Sequence, residues 1–526
     1  MRSTSSTIIK CAALALCLAL MCPMGALATT MDDTLTLGMI SVKTRSLNPL
    51  VSEEREFQSL TALMFEGLYA LDDDYRIVPC LARDPEASIS TNGKSWTVKL
   101  RNDAVFHDGT PCTAYDVVAT THEILRLASE GQGQYNQLRF VISDARANDA
   151  ETVVFTVTRP YLGVYYALTF PVLHQSQVQY ELPLGTGPYR MERFEPANIL
   201  YLSANELWHG GSLAVKNVNV VFKATNRELI TEYEYNRVDA AITRSASAGQ
   251  YQTGLTNLNI TYRTRQLETL LLNFNAFPLD NELVRKAIRH AINFDAIANQ
   301  VYMGMAQRTD TPLPSGTWMY REVDSASIAY DPDLARELLD QAGWKADPER
   351  DNGVRHTTVN EKGEQKDKRL RLRIYVYEEQ DNSVRIQVAS MISDYLKAVG
   401  IEAPVFSESF SSVSSRLKAK NFDMAIAAYQ MDAVPDPGFL LMSGNTGNFV
   451  SYRSTAMDNL FGKLRETREF NVYQDLLWQI QDLFIQDCPF VCMFYRSGAL
   501  LTRKVFTVVR NVREPEILRG IEAIGK

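Results

Sequence analysis

A chain of 526 residues, 45% hydrophobic and 22% charged, is long enough for about three domains and apolar enough to bury ordinary cores, which excludes a disordered protein. Its net charge of −8 at pH 7 lacks the basic footprint that nucleic-acid binding requires.

The N-terminus reads as an export leader. Arg2 and Lys10 precede an unbroken apolar run, Cys11–Met21; Pro23 and Gly25 break it, and Ala26-Leu27-Ala28 supplies small residues for cleavage. This is the pattern of a secretory signal peptide over residues 1–28. The run is shorter than the about 20 residues of a membrane span, which argues against an N-terminal anchor. Cys17 and Cys22 are alternative lipidation sites, but Leu16 and Met21 stand where a small residue is expected, so cleavage after Ala28 is preferred. Losing this leader, with two positive charges and no acid, takes the net charge from −8 to −10. No later stretch reaches transmembrane length, so the mature chain is expected outside the cytoplasm, in the periplasm or at the outer face of the membrane.

Four of the seven cysteines then remain, Cys80, Cys112, Cys488 and Cys492. Export permits disulfides, and three pairings are possible. The other reading, four small buried hydrophobes, is preferred.

Along the chain, Thr34–Ser41 alternates as a strand, and a helix is predicted over about Phe57–Tyr69. Ser95–Arg101 is a strand. Thr113 and Asp116 form a capping box for a helix to about Leu127. Thr152–Val157, Ile199–Leu202 and Val218–Phe222 read as strands, Asn226 as a helix cap, and Leu267–Phe274 as an apolar strand. Asp280 opens a helix with Val284, Ala287, Ile288, Ala291 and Ile292 on one face. Asp331-Pro332 starts another, ended by Gly343. Residues 347–369 are the most polar stretch and read as a surface loop. A strand at Leu370–Val376, a helix over Val384–Val399, strands at Ile401–Phe406 and Phe422–Tyr429 and a helix near Val413–Lys420 give a strand–helix alternation that predicts an α/β lobe. A helix at Tyr473–Gln486 and a strand at Phe490–Tyr495 close the chain.

The motifs of an exported hydrolase are missing. The six histidines form no H-E-x-x-H pair, since Arg126 stands where His122-Glu123 would need its second ligand. There is no G-x-S-x-G elbow and no P-loop. Ser415-Arg-Leu-Lys418 matches S-x-x-K without its companion motifs and reads as chance. Residues 347–358 have the outline of a calcium loop, but Asn352 replaces its glycine and Thr358 its bidentate acid. The basic run Lys366–Arg373 reads as a solvated strand face. No catalytic residue, metal ligand or cofactor is expected.

Several segments together resemble a known family. They are Thr36–Ile40 with Ser46–Leu50, Phe65-Glu-Gly-Leu-Tyr69, Phe106-His-Asp-Gly-Thr-Pro-Cys112 running on to Val118, Gly185-Thr-Gly-Pro-Tyr189, Leu272–Asn275 with Ala291–Asp295, Tyr330–Pro332 and Phe422–Ile426. Their order is similar to that of the peptide- and nickel-binding solute receptors of ABC importers, family 5. The resemblance implies an α/β, two-lobed periplasmic-binding-protein fold of the large class II-like kind, with a small additional domain and a two-strand hinge. It places lobe one at 32–56, 186–268 and 492–526, the small domain at 57–185 and lobe two at 269–491, with hinge crossings near Leu270 and Val491. It implies a monomeric, non-catalytic receptor that closes on a short peptide and delivers it to permease subunits served by a separate ATPase chain. Family members pair a lobe-two aspartate with the peptide α-ammonium, and Asp432, flanked by Tyr429 and Met431, stands at that position. No residue matches the holder of the peptide carboxylate; Arg453, after Tyr452, is put forward for it. Asp436, before Pro437, reads as a turn former. The alternatives are another cargo such as a metal chelate, opine or sugar, a sensor receptor, or a hydrolase.

Overall fold

The computed structural model describes residues 33–503 except 42–44, 53–54, 252, 255–256 and 379–382, together with 514, 517 and 518. The expected leader, with Cys11, Cys17 and Cys22, lies outside the described residues.

The strand β1 (Thr34–Ile40) buries Leu35, Leu37 and Met39, the alternate positions that a period of two puts on one face. It belongs to an 11-stranded sheet, whose other members are β2 (Tyr189–Glu195), β3 (Ile199–Ala204), β4 (Asn217–Lys223), β5 (Ala240–Thr243), β6 (Asn257–Leu272), β7 (Ala306–Arg308), β8 (Ile374–Tyr377), β9 (Val405–Glu408), β10 (Met424–Gln430) and β11 (Phe490–Arg503). The order is β9-β8-β10-β6-β11-β5-β1-β4-β3-β2, with β7 on β11. At one end β8 runs parallel to β9 and β10, and the helices Val384–Ala398 and Phe410–Ala419 make the crossovers that parallel neighbours require.

The antiparallel pair β6 and β11 joins the two lobes. The 16 residues of β6 reach about 50 Å. Its first half, Asn257–Arg263, pairs with Ser497–Arg503, whose other edge carries β5; its second half, Leu267–Leu272, lies between β11 and β10. Leu270 is the direct partner of Val491. The register slips between Arg263 and Leu267, where Thr264 Oγ1 donates to the Arg496 carbonyl at 2.8 Å and accepts from Gln266 N at 3.2 Å. Such a bulge bends a strand and re-aims its side chains. Just past it, Glu268 pairs with Arg385 at 2.7 and 3.1 Å, the two side chains 0% and 2% exposed. The largest buried cluster runs from β1 through the four-stranded sheet region to Tyr375, Phe461 and Leu477, and a second is built around Leu270, Ile288, Leu339, Ile392 and Ile426.

A four-stranded sheet over residues 88–157 packs with the helix Ala114–Ser129, whose capping box forms with Asp116 Oδ2 accepting from Thr113 N at 2.8 Å. The Gly-Thr-Gly segment crosses the end of the helix Arg55–Met64 closely: a Cβ on Gly185 would lie 2.0 Å from the Met64 carbonyl oxygen. Beside it, burial pushes the His107 imidazole down to about 4, while its Nε2 lies 3.2 Å from the Gly187 carbonyl. The unfolded chain takes up that proton near pH 6.5 and the folded chain only near 4, so stability present above pH 6.5 is lost as the pH falls toward 4, by up to about 3 kcal/mol. Urea unfolding at stepped pH should show this slope, and His107→Gln should flatten it.

The structure differs from the sequence expectation at several places, of which two bear on local turn and cap chemistry. Residues 356–369, expected in a surface loop, form a hairpin, His356–Glu361 with Glu364–Arg369. Lys362 and Gly363 take positive φ at its turn, as a two-residue hairpin turn demands. Glu361 pairs across it with Lys366 and Lys368 at 3.1 and 2.7 Å; both faces are polar, so no apolar alternation marks the strands. The helix expected to be capped by Asn226 is capped one residue earlier, by Thr225, which accepts from Glu228 N. None of the three possible pairings among the four remaining cysteines is present, and Cys112, Cys488 and Cys492 are buried.

Candidate functional site

The bulge of β6 borders a cleft of about 590 Å³, counted out to open solvent. It is lined by Arg263–Arg265 and Tyr495 of β11, by Leu71 and Tyr75, by Pro312–Pro314 and Met319, by Met431–Pro437 after β10, and by Glu514.

Trp318, next to Met319, donates its Nε1 to the Tyr75 carbonyl at 3.0 Å and so ties these two parts of the lining together. Tyr495 donates its hydroxyl to the Pro312 carbonyl at 2.6 Å.

Charge is sparse and specific. The Arg263 guanidinium donates to the Ser315 carbonyl and lies 5.3 Å over Tyr75 and 5.9 Å over Tyr495, which fixes its position. Arg265 N donates to Glu514 Oε2 at 3.0 Å, and its Nε is buried with no hydrogen-bond partner among the described residues. Glu514 itself pairs with Arg244. Buried guanidinium donors want an acceptor, so Arg265 favours an anionic group in the cleft.

Asp432 lines the same cavity and is exposed to it, with Oδ1 accepting from Ala433 N at 2.6 Å. Burial raises the phenols of Tyr135 and Tyr161 well above the usual tyrosine range, and the Asp432 charge adds to both, so the two rings lie within its electrostatic reach. Met431 is a second lining residue, and its N donates to the Arg265 carbonyl at 2.9 Å.

Three other residues named from the sequence do not line the cavity. Tyr429 is buried, stacks on Phe449 and donates to the Gly447 carbonyl at 3.1 Å. Tyr452 is buried beside Phe274 with its hydroxyl 2.5 Å from Asp487 Oδ2. Arg453 is exposed next to it. Asp436 holds Arg465 at 2.6 Å and accepts from Gly438 N at 2.9 Å, which shapes the turn. Sequence reasoning missed Arg263 and Arg265, whose alternation with Thr264 in a polar stretch carried no signal of a cleft.

A two-lobed α/β chain with a cleft at its hinge, apolar walls and a few aimed charges is a ligand receptor. The chain belongs to the bacterial extracellular solute-binding proteins, family 5, whose model matches residues 76–450. It is a substrate-binding protein of the ABC transport type, not an enzyme. Among its relatives, the oligopeptide-binding protein AppA of Bacillus subtilis is 22% identical over 483 residues, covering 86% of this chain and 84% of the relative. The nickel-binding periplasmic protein of Escherichia coli is 23% identical over 451 residues, covering 80% and 82%. In fold, the chain is similar to NikA from Brucella suis, solved with Fe(III)-EDTA, at a TM-score of 0.77 and 20% identity over 93% of this chain and 99% of that one. Among the described residues, no helix is long and apolar enough to cross a membrane.

Proposed function

We propose that this protein captures short peptides in the hinge cleft and presents them, closed, to the permease of an ABC importer. The observation that carries this reading is the meeting of both charge signs in one apolar-walled cavity: the Asp432 carboxylate and the Arg263 and Arg265 guanidiniums. A peptide is a zwitterion with an apolar or variable middle. Its α-ammonium pairs with Asp432, its carboxylate takes the Arg265 guanidinium, whose Nε has no hydrogen-bond partner among the described residues, and the hydrophobic walls accept side chains of varied shape. Arg453, the candidate for that carboxylate from the sequence, gives way to Arg265 in this reading, because it does not line the cavity.

Lobe one comprises 32–56, 186–268 and 492–526, the small domain 57–185 and lobe two 269–491, with β6 and β11 as the hinge. A cargo that touches both lobes shifts the balance toward the closed form by its differential affinity for that form. Closure removes water and strengthens the ammonium–carboxylate contact. The receptor works as a monomer outside the cytoplasm, after removal of the leader at residues 1–28.

Native mass spectrometry of the purified mature protein, followed by denaturation and identification of what is released, tests the cargo. Short peptides are the expected result. A metal chelate, opine or sugar alone would overturn the peptide assignment and keep the receptor.

A further inference from the structure

Away from the cleft, three side chains from distant parts of the chain converge. Glu66 follows the helix Arg55–Met64, Cys80 follows the strand Ile77–Pro79, and His209 sits in the turn after β3. One carboxylate oxygen, the thiol sulfur and one imidazole nitrogen all lie within 4.8 Å of one another. His209 Nε2 is 2.9 Å and Cys80 Sγ 3.7 Å from Glu66 Oε1. None of the three lines the cargo cavity.

We propose that Glu66, Cys80 and His209 bind a divalent cation of the zinc class. The donor set is one thiolate, one imidazole and one carboxylate, the mixture that a borderline-soft ion with tetrahedral preference takes, with the fourth position left to water. Ligand atoms around such an ion sit about 3.4–3.6 Å apart, given metal–ligand bonds of about 2.0–2.3 Å. The carboxylate–sulfur separation is already close to that, and the carboxylate–nitrogen separation opens by a few tenths of an ångström.

The surroundings are those of a held ligand set. Trp208 Nε1 donates to Glu66 Oε1 at 3.0 Å and Thr186 Oγ1 to Oε2 at 2.8 Å, fixing the carboxylate as outer-shell donors do at metal centres. Cys80 N donates to the Leu68 carbonyl at 3.0 Å, and the turn that carries His209 is closed by Trp208 N to the Asn205 carbonyl at 3.0 Å. The Glu66 and His209 side chains are each 9% exposed, and among the described residues no lysine or arginine forms an ion pair with Glu66. A carboxylate so enclosed gains from a cation.

Binding needs Cys80 as thiolate and His209 neutral. The thiol proton leaves to solvent, and His209 exchanges its hydrogen bond to Glu66 for the metal. The ion then fastens three chain segments that are otherwise joined by hydrogen bonds. No motif marks this site, because the ligands stand at 66, 80 and 209 with no recognisable spacing.

The test uses the mature protein, stripped with a chelator, reloaded with zinc alone and gel-filtered before metal analysis. The wild type should retain a single zinc per chain and melt at a higher temperature with it than without. Cys80→Ser and His209→Gln, which keep a polar side chain beside Glu66, should each lose more than ~100-fold in zinc affinity, a ligand counting for at least as much as an outer-shell partner. Asp432→Asn should retain zinc unchanged and so separate this site from the cargo reading. Circular dichroism of both ligand variants shows whether they fold; if either does not, protection of the Cys80 thiol from alkylation by zinc in the wild type takes its place. Wild type that retains no zinc, equal retention by both variants, or loss of zinc in Asp432→Asn would each overturn the proposal.

Discussion

Glu268→Ala is expected to destabilise the folded protein by about 3–5 kcal/mol, because it removes the carboxylate that the buried Arg385 guanidinium holds at 2.7 and 3.1 Å. The two side chains are 0% and 2% exposed, so water does not replace the lost carboxylate. Glu268 also accepts from Gln266 Nε2 at 2.9 Å, one residue beyond the bulge, so the pair stiffens β6 where the strand leaves the cleft. The guanidinium lies 4.4 Å over Tyr377 as well, which ties the helix Val384–Ala398 to β8. Urea unfolding followed by fluorescence and circular dichroism reads the change. The double variant Glu268→Leu/Arg385→Met should recover most of it, since an apolar pair of similar volume carries no desolvation cost. A loss below about 1 kcal/mol for the single variant would show that solvent or another group replaces the carboxylate.

Asp432→Asn is expected to weaken peptide binding by roughly 10- to 150-fold, the equivalent of about 1.5–3 kcal/mol for one hydrogen bond to a charged group. The change keeps the size of the side chain and its turn bond to Ala433 N while removing the charge that an α-ammonium needs. Fold stability should stay within about 0.5 kcal/mol, because the side chain is exposed. Arg265→Gln should weaken the same peptides but leave their C-terminal amides nearly unaffected. Isothermal titration with each peptide and its amide separates the two ends.

Structure set by neighbours in the chain is legible in the sequence. The capping box at Thr113 and Asp116 and the Asp331-Pro332 helix start both form as expected, since caps depend on neighbours in the chain. The first half of β6 was missed because Asn257–Gln266 is mostly polar and is held as a strand by Ser497–Arg503, more than two hundred residues away. The hairpin at 356–369 was missed for a related reason: its strands are matched by charge, not by apolar alternation. At the cleft, Asp432 and Met431 could be named through the family resemblance. Arg263 and Arg265 could not, because a register slip between β6 and β11 turns them toward the cavity, and a slip is a property of two strands together.

Calorimetry on protein unfolded and refolded to remove any retained cargo tests the central claim most directly. The titrants are di- to pentapeptides, the same peptides N-acetylated, and a nickel–histidine chelate. The account predicts heat and a higher melting temperature with the free-amine peptides, and neither with the acetylated ones, since acetylation removes the charge that pairs with Asp432. Binding of the chelate with no response to any free-amine peptide would contradict it.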